Sequence, residues 1–291
     1  MPSLKAVRIR IASVKSTQKI TRAMKLVAAA RLRRAQDAIV SARPYAEALA
    51  EAVAELAARA GEHAHPMLQK RPVNRIALVS LTSDRGLAGG FNANIGRAAQ
   101  AFIQGERAKG DAGASVKLHL VGKKGREFAR RRKMDIGHEF PGVVGDTALN
   151  RARELALTIT DEFVEDKVDA VYLVYNEFKS AISQKVVVTQ LLPVQPAPLP
   201  ADAAAVDFLY EPSKEELLSS LIPLYLESQI YRALLESIAS EFGARMSAME
   251  NATSAASDMI ERLTLQYNRA RQASITKELM EIVGGAEALK G

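Results

Sequence analysis

Cysteine is absent from the 291 residues, which excludes a disulfide, a thiol nucleophile and a thiolate metal site and suits a reducing compartment. Acid is missing from the start of the chain. No Asp or Glu precedes Asp37, whereas Lys5, Arg8, Arg10, Lys15, Lys19, Arg22, Lys25, Arg31, Arg33 and Arg34 all do. Long apolar runs are missing too: none approaches the roughly 20 residues a bilayer-spanning helix needs, and no secretory signal pattern is visible. Glycine first occurs at Gly61, and before it the only prolines are Pro2 and Pro44. A stretch so poor in breakers reads as one long helix, which Pro44 should kink or end.

The basic arm lies within a formal charge of +7. It would be drawn to an acidic surface, whether nucleic acid, anionic lipid or an acidic protein cavity, and its sign does not choose among them. It also imitates a mitochondrial transit peptide. Against that reading, the helical pattern runs on through Asp37 and Glu47 with no small-residue cleavage region, as expected for a structural part of the mature protein.

Periodicity predicts two terminal helices, from about Leu4 to Arg59 and from about Ser213 to Gly284. Met249, Thr253, Ala256, Ile260, Leu263, Tyr267 and Ala270 advance by alternating fours and threes, the spacing of a coiled-coil seam. Val7, Ile11, Val14, Thr21, Ala28, Leu32, Ala35 and Ile39 form a second seam, interrupted at Gln18 and Lys25. Around Met24 to Ala30 the apolar surface broadens, enough for more than one partner. We expect an antiparallel two-helix rod. At about 1.5 Å per residue it is long enough to project. Ala28 to Ala30, Ala252, Ala255 and Ala256 would let the two axes approach to about 8 Å. Ser213, with Glu216 three residues on, is the expected N-cap of the last helix, which Pro223 would kink near its base.

Between these helices the pattern becomes one of short apolar runs. Strands are predicted at Arg75 to Thr82, Val116 to Val121, Ala170 to Tyr175 and Lys185 to Leu192, and helices near Asn92 to Gly105, from Gly122 through Lys133, and from Thr147 to Glu165. Such alternation implies a Rossmann-like α/β domain with a mostly parallel sheet. The expected organisation is a first helix over residues 1–60, an α/β domain over 72–193, a connector over 194–212 and a last helix over 213–291. Pro193, Pro196, Pro198, Pro200 and Ala203 to Ala205 mark the connector. Phe208, Leu209 and Tyr210 read as a short extended piece.

The loop Asp84–Arg85–Gly86–Leu87–Ala88–Gly89–Gly90–Phe91–Asn92 follows a strand and opens a helix, where dinucleotide folds hold a pyrophosphate. The spacing is wrong for that. Gly86 and Gly89 are three apart rather than two, and no Lys-Ser or Lys-Thr pair follows. A structural turn is the better reading, with backbone and Arg85 free to meet an acidic partner. Lys123, Lys124, Arg126 and the run Arg130 to Lys133 read as a solvated basic face, since no nearby aromatic cluster offers bases a platform. His63, His65, His119 and His138 are too scattered in sequence to suggest a metal site. No catalytic arrangement emerges. Arg271, Gln272 and Thr276, near the end of the last helix, suit a carboxylate-lined partner, because a guanidinium forks onto carboxylates and an amide both donates and accepts. A nucleic-acid-binding scaffold and a nucleotide-dependent enzyme are the competing readings of these residues.

Lys19–Ile20–Thr21–Arg22–Ala23–Met24–Lys25–Leu26–Val27–Ala28–Ala29, the Asp84 to Asn92 loop, Leu209–Tyr210–Glu211–Pro212, and Tyr267 to Thr276 followed by Glu278 and Leu279 together resemble the gamma subunit of the F-type rotary ATP synthase, in family order along essentially the whole chain. The resemblance implies a central rotor shaft. Proton flow through a membrane ring of c subunits turns it inside a ring of alternating alpha and beta subunits, beside the epsilon subunit, and the phosphoryl chemistry belongs to beta. It implies no catalytic residue, cofactor, metal or nucleic acid for this chain, and a peripheral place on the cytoplasmic face of a bacterial inner membrane in preference to the mitochondrial matrix side. It also implies partner contacts. Met24 and Lys25 match positions facing the acidic lever segment of beta, and Asp84, Arg85, Gly86 and Ala88 lie in a loop near the same lever. Arg271, Gln272 and Thr276 match positions bonding beta loops higher in the ring, and Ile282 and Val283 would turn in a smooth apolar sleeve. Ala88 stands where many relatives have cysteine, and the cysteine-bearing insertion of the chloroplast type is absent, so thiol regulation is not expected.

Overall fold

The computed structural model describes residues 3–61, 63–109, 113–143, 147–181, 183–195, 211 and 213–288. Helix α1 spans Leu4–Ala60, its first turn held where Ser3 Oγ accepts the Ala6 N–H at 3.2 Å. A 3-10 turn at Pro66–Leu68 leads into β1 (Arg75–Leu81), α2 (Phe91–Arg107), β2 (Ser115–Val121), α3 (Lys123–Arg131), β3 (Ile136–Phe140), α4 (Ala148–Val164), β4 (Ala170–Phe178) and β5 (Gln184–Leu192), and α5 runs over Lys214–Ala288. The expected connector prolines from Pro196 on, the alanines Ala203 to Ala205, the Phe208 to Tyr210 piece and most of the Leu209 to Pro212 motif lie outside the described residues.

Ser213 caps α5, accepting the Glu216 N–H at 3.2 Å. Pro44 does not end α1, and Pro223 lies inside α5. Pro44 deprives the Val40 carbonyl of its helical donor, but both residues are exposed, so water can serve that oxygen instead.

The sheet has the order β3-β2-β1-β4-β5. The first four strands are parallel, and β5 returns antiparallel to β4. Strand β3 was not anticipated. It is a five-residue edge strand of which only Phe140 is buried, so it lacks the apolar run that marks the others. Central β1 is buried at every position after Arg75, as expected of a parallel strand covered on both faces.

The described chain falls into two compact units: Ala29–Arg245, and Met1–Ala28 with Met246–Gly291. In the first, one face of the sheet sets Ala77, Val79, Leu81, Val171 and Leu173 against Leu155, Ile159 and Phe163 of α4, Val53 and Leu56 of α1, and Leu218, Ile222 and Leu226 of α5. The other sets Ile76, Leu78, Val116, Leu118 and Leu120 against Ile95, Ala99 and Ile103 of α2. Asp169 fastens the amino end of β1: it accepts the backbone N–H of Asn74 at 3.0 Å and of Arg75 at 2.8 Å, and the Arg75 guanidinium at 2.7 Å.

In the second unit the ends of α1 and α5 run antiparallel. Arg8 Nη2 donates to the Tyr267 hydroxyl at 2.7 Å, Gln18 Nε2 to Ser257 Oγ at 2.6 Å, and the hydroxyls of Thr21 and Thr253 lie 2.8 Å apart. Lys25 forms an ion pair with Glu250. In each pair the two residue numbers sum to 274 or 275, which fixes a single register.

Candidate partner-binding surfaces

The seam corrects the expectation that Gln18 and Lys25 interrupt it. Both occupy seam positions, half-buried, and each meets a polar group across the pair. Between them Thr21 is 8% exposed. A polar side chain at such a position specifies register at some cost in stability, and three in succession do so here. The Lys25 ammonium, expected to face a partner, is engaged by Glu250 within the chain, and its neighbour Met24 is half-buried.

Past Tyr267 the same register brings α5 to the end of its companion, since Leu4 falls opposite Arg271. Arg271, Gln272 and Thr276 are exposed, and the Thr276 hydroxyl donates back to the Gln272 carbonyl at 3.0 Å. Ile282 and Val283 are 72% and 51% exposed, and Ile275, Leu279 and Met280 are exposed with them. Ile275 and Leu279 belong to the motif quoted above but were not expected at a partner surface, and Met280 was not named at all. Their signal was there: Ile275, Leu279, Ile282 and Val283 recur at helical spacing after the α1 partner has run out. Exposed apolar surfaces of this kind are a common feature of interaction sites.

The glycine loop sits after β1, between it and the crossover to β4, which is the topological switch point where α/β sheets bind dinucleotides. Here that crevice is filled by the chain itself. Arg245 of α5, 8% exposed, donates to the Gly86 carbonyl at 3.2 Å and to Glu241 at 2.5 Å. Ser240 Oγ donates to the Asn176 carbonyl at 3.1 Å, and Asn176 reaches the Phe91 carbonyl at 3.5 Å. Burial pushes the Glu241 carboxyl up, while Arg245 opposes that. Ser83 and Asn92 close the loop on itself, with the Ser83 N–H donating to Asn92 Oδ1 at 2.9 Å. Asp84 Oδ1 accepts the Lys123 N–H at the start of α3, at 2.9 Å, and the Gly142 N–H at 3.2 Å. Hence the amide an anion would seek there already holds a carboxylate.

Of the loop residues expected at a partner surface, Arg85 is exposed and Asp84 and Gly86 are half-buried. Ala88 is 2% exposed, packed with Phe91 and Ile95, so it anchors the loop and presents nothing outward. Leu87, at φ 63° and 63% exposed, is the apolar side chain the loop displays. Arg245, Glu241 and Ser83 were not singled out from sequence, because the Arg245 contact with Gly86 joins residues 159 apart and ends on a backbone carbonyl.

The histidines also need correcting. His119 on β2 and His138 on β3 converge with Glu162 of α4, their ligand-type atoms all within 4.8 Å of one another. Scattered in sequence, they are neighbours because β3 pairs with β2.

An α/β sheet with a filled switch point, joined to first and last helices that pair antiparallel, defines the class of protein. A family model described as ATP synthase matches residues 3–289. Among curated relatives, the ATP synthase gamma chain of Anaeromyxobacter sp. (strain Fw109-5) is 56% identical over 293 residues, and that of Geobacter metallireducens is 48% identical over 291, each covering 100% of both chains. The chain belongs to the ATP synthase gamma chain family. A solved structure similar to it is the central stalk and c ring of the Tetrahymena thermophila mitochondrial ATP synthase, at TM-score 0.59 and 27% identity over 80% of this chain and 99% of that one. The rotor of the Euglena gracilis mitochondrial enzyme, at TM-score 0.62 and 19% identity over 94% and 98%, shares the fold.

Proposed function

We propose that this chain is the turning shaft of a proton-translocating ATP synthase, coupling rotation of a membrane c ring to the conformations of three beta-subunit catalytic sites while performing no chemistry itself. Its partners are the alpha and beta subunits, the epsilon subunit and the c ring, and it works peripherally at the cytoplasmic face of a bacterial inner membrane. Among the described residues no helix is long and apolar enough to cross a membrane, which accords with a peripheral place. The observation that carries the reading is the end of α5. Its polar contacts at Arg271, Gln272 and Thr276 and its apolar turns at Ile275, Leu279, Ile282 and Val283 are presented outward after the α1 partner stops, in a chain that matches gamma relatives over its whole length.

A shaft with different residues on each side favours a different conformation in each beta subunit it faces. Rotation then shifts affinity for ADP, phosphate and ATP by differential contact, which is coupling in the thermodynamic sense. Met24, Lys25, Asp84, Arg85, Gly86, Arg271, Gln272, Thr276, Ile282 and Val283 carry those contacts, with Leu87 added and Ala88 acting from beneath the loop. Co-expressed alpha and beta subunits should capture one copy per six-subunit ring, and the isolated chain should neither bind nor hydrolyse ATP. Turnover by the isolated chain would end the proposal. In the assembled enzyme, Met24→Lys should place a second ammonium beside Lys25 and lower proton-driven synthesis about fivefold or more, with the yield of complex unchanged. Normal synthesis would remove Met24 from the coupling surface.

A further inference from the structure

Edge strand β3 is held to its surroundings by a group of ionisable side chains that the rotary role does not use. His119 is 1% exposed, and its Nδ1 accepts the backbone N–H of His138 at 2.9 Å. A neutral imidazole that accepts on one nitrogen carries its proton on the other, so His119 presents Nε2–H to Glu162 Oε2, 3.0 Å away. The other carboxylate oxygen lies 3.2 Å from His138 Nε2. The two rings stack at 5.2 Å, 18° apart. Gly137 permits the approach, since a Cβ there would lie 2.7 Å from His119 Cε1.

The tautomer argues against a transition-metal ion. A ligating histidine donates its second ring N–H to an acceptor, whereas His119 Nδ1 faces a donor that is part of the backbone. Metal on Nε2 would set two N–H groups against each other. His119 Nε2 and Glu162 Oε2 are buried and close, yet not aligned as a hydrogen bond, so a small turn of the carboxylate would complete the contact.

We propose that His138, Glu162 and His119 form a proton-operated clasp, in which proton uptake by the exposed His138 ring turns its contact with Glu162 into an ion pair and ties β3 to α4. The ionisable groups facing His138 are His119 from β2 and Glu162 from α4. Lys167, just beyond α4, feels the same carboxylate. Burial pushes the Glu162 carboxyl up, but the His119 and His138 imidazoles outweigh it and hold the group below the ordinary range. The carboxylate is therefore already charged across the interval in which imidazole ordinarily titrates, about pH 5 to 8. The clasp is closed when the His138 ring carries its second proton and open when that ring is neutral. Two residues past β3, the Gly142 N–H donates to Asp84, so closure also steadies the anchor of the glycine loop.

This inference stands apart from the rotary proposal, and its test needs only the full chain, whose four histidines give a simple spectrum. With 15N-labelled histidine followed from about pH 8 to about pH 5, the ring nitrogens report directly whether His138 carries the second proton, and His119 should be seen in its Nε2–H form. Over the same range, β3 amides should gain about two- to fivefold in hydrogen-exchange protection beyond the intrinsic change, the scale of a half-exposed ion pair. His138→Gln, at an exposed position, and Glu162→Gln should each abolish that gain. An equal gain in both variants, protonation of His119 at Nδ1, or added Zn²⁺ shifting the Nε2 signals of both histidines would overturn the clasp.

Discussion

The helix pair of residues 4–28 and 246–271 and the sheet of residues 75–192 are built to opposite rules. The sheet is sealed on both faces by large side chains, with Ile76, Leu78, Leu118, Leu155, Ile159, Phe163 and Leu173 among those fully buried. The helix pair buries Val7, Ala28, Met249, Ala256 and Leu263, and between them its seam is crossed by Gln18–Ser257, Thr21–Thr253 and Lys25–Glu250. Burial of apolar area supplies stability in proportion to what is removed from water, so the sheet gains most from it. The pair spends seam positions on register instead, leaving a thin element whose outward surface is most of what it has. A part that must be recognised on every side suits that arrangement, whereas a part that must hold its shape suits the other.

Phe163→Ala should separate the two most forcefully. The ring is fully buried against α4's neighbours, under the Arg71 guanidinium 4.8 Å from its centroid, and its loss should cost about 3–5 kcal/mol, read as a lowered Tm for the sheet unit. Should melting be unchanged, the sheet would not be where most of the chain's stability resides.

Asp169→Asn comes next. Burial pushes the Asp169 carboxyl up, but the Arg75 guanidinium and the Asn74 and Arg75 N–H groups outweigh it and hold it below the usual range. Because the folded pKa is depressed, the stabilisation is present above the unfolded value of about 3.9 and is lost as pH falls through the folded value. The variant should lose about 1–3 kcal/mol at neutral pH and show a flatter acid limb in denaturant titrations below about pH 4. An acid limb identical to wild type would assign that pH dependence to other carboxylates.

The smallest effect tests the seam. Thr21 and Thr253 also donate to the Gln18 and Met249 carbonyls, at 3.0 and 2.7 Å, so two hydroxyl protons serve three contacts. Either single Thr→Val should cost about 1 kcal/mol, the double variant little more, and the cycle should show coupling of about 0.5–1 kcal/mol. Strict additivity would mean the hydroxyls do not address each other.

What the sequence revealed follows the same division. The seam was legible because threes and fours leave a stripe, and even its two apparent faults were real features whose explanation lay in Ser257 and Glu250, more than 200 residues away in the chain. The buried strands were legible as apolar runs and the Ser213 cap as a local pattern. Strand β3 was not, because Ile136–Gly137–His138–Glu139–Phe140 sits at an edge and buries one side chain. With it went the meeting of His119 and His138. The glycine loop reads as a structural turn from its spacing, but the arginine that reaches back to it from α5 is a contact that no local pattern encodes.

A fixed sum of residue numbers across the seam makes the helix pair a ruler. Excise seven residues from α1 between Arg8 and Gln18 together with seven from α5 between Ser257 and Tyr267, and every surviving crossing keeps its mate in a shorter pair. Take seven from α1 alone and the apolar stripe still matches, yet with the Arg8–Tyr267 end kept in place Lys25 would meet Ser257 and lose its counter-charge, so length can change in this element only when both strands of the ruler are cut by the same amount.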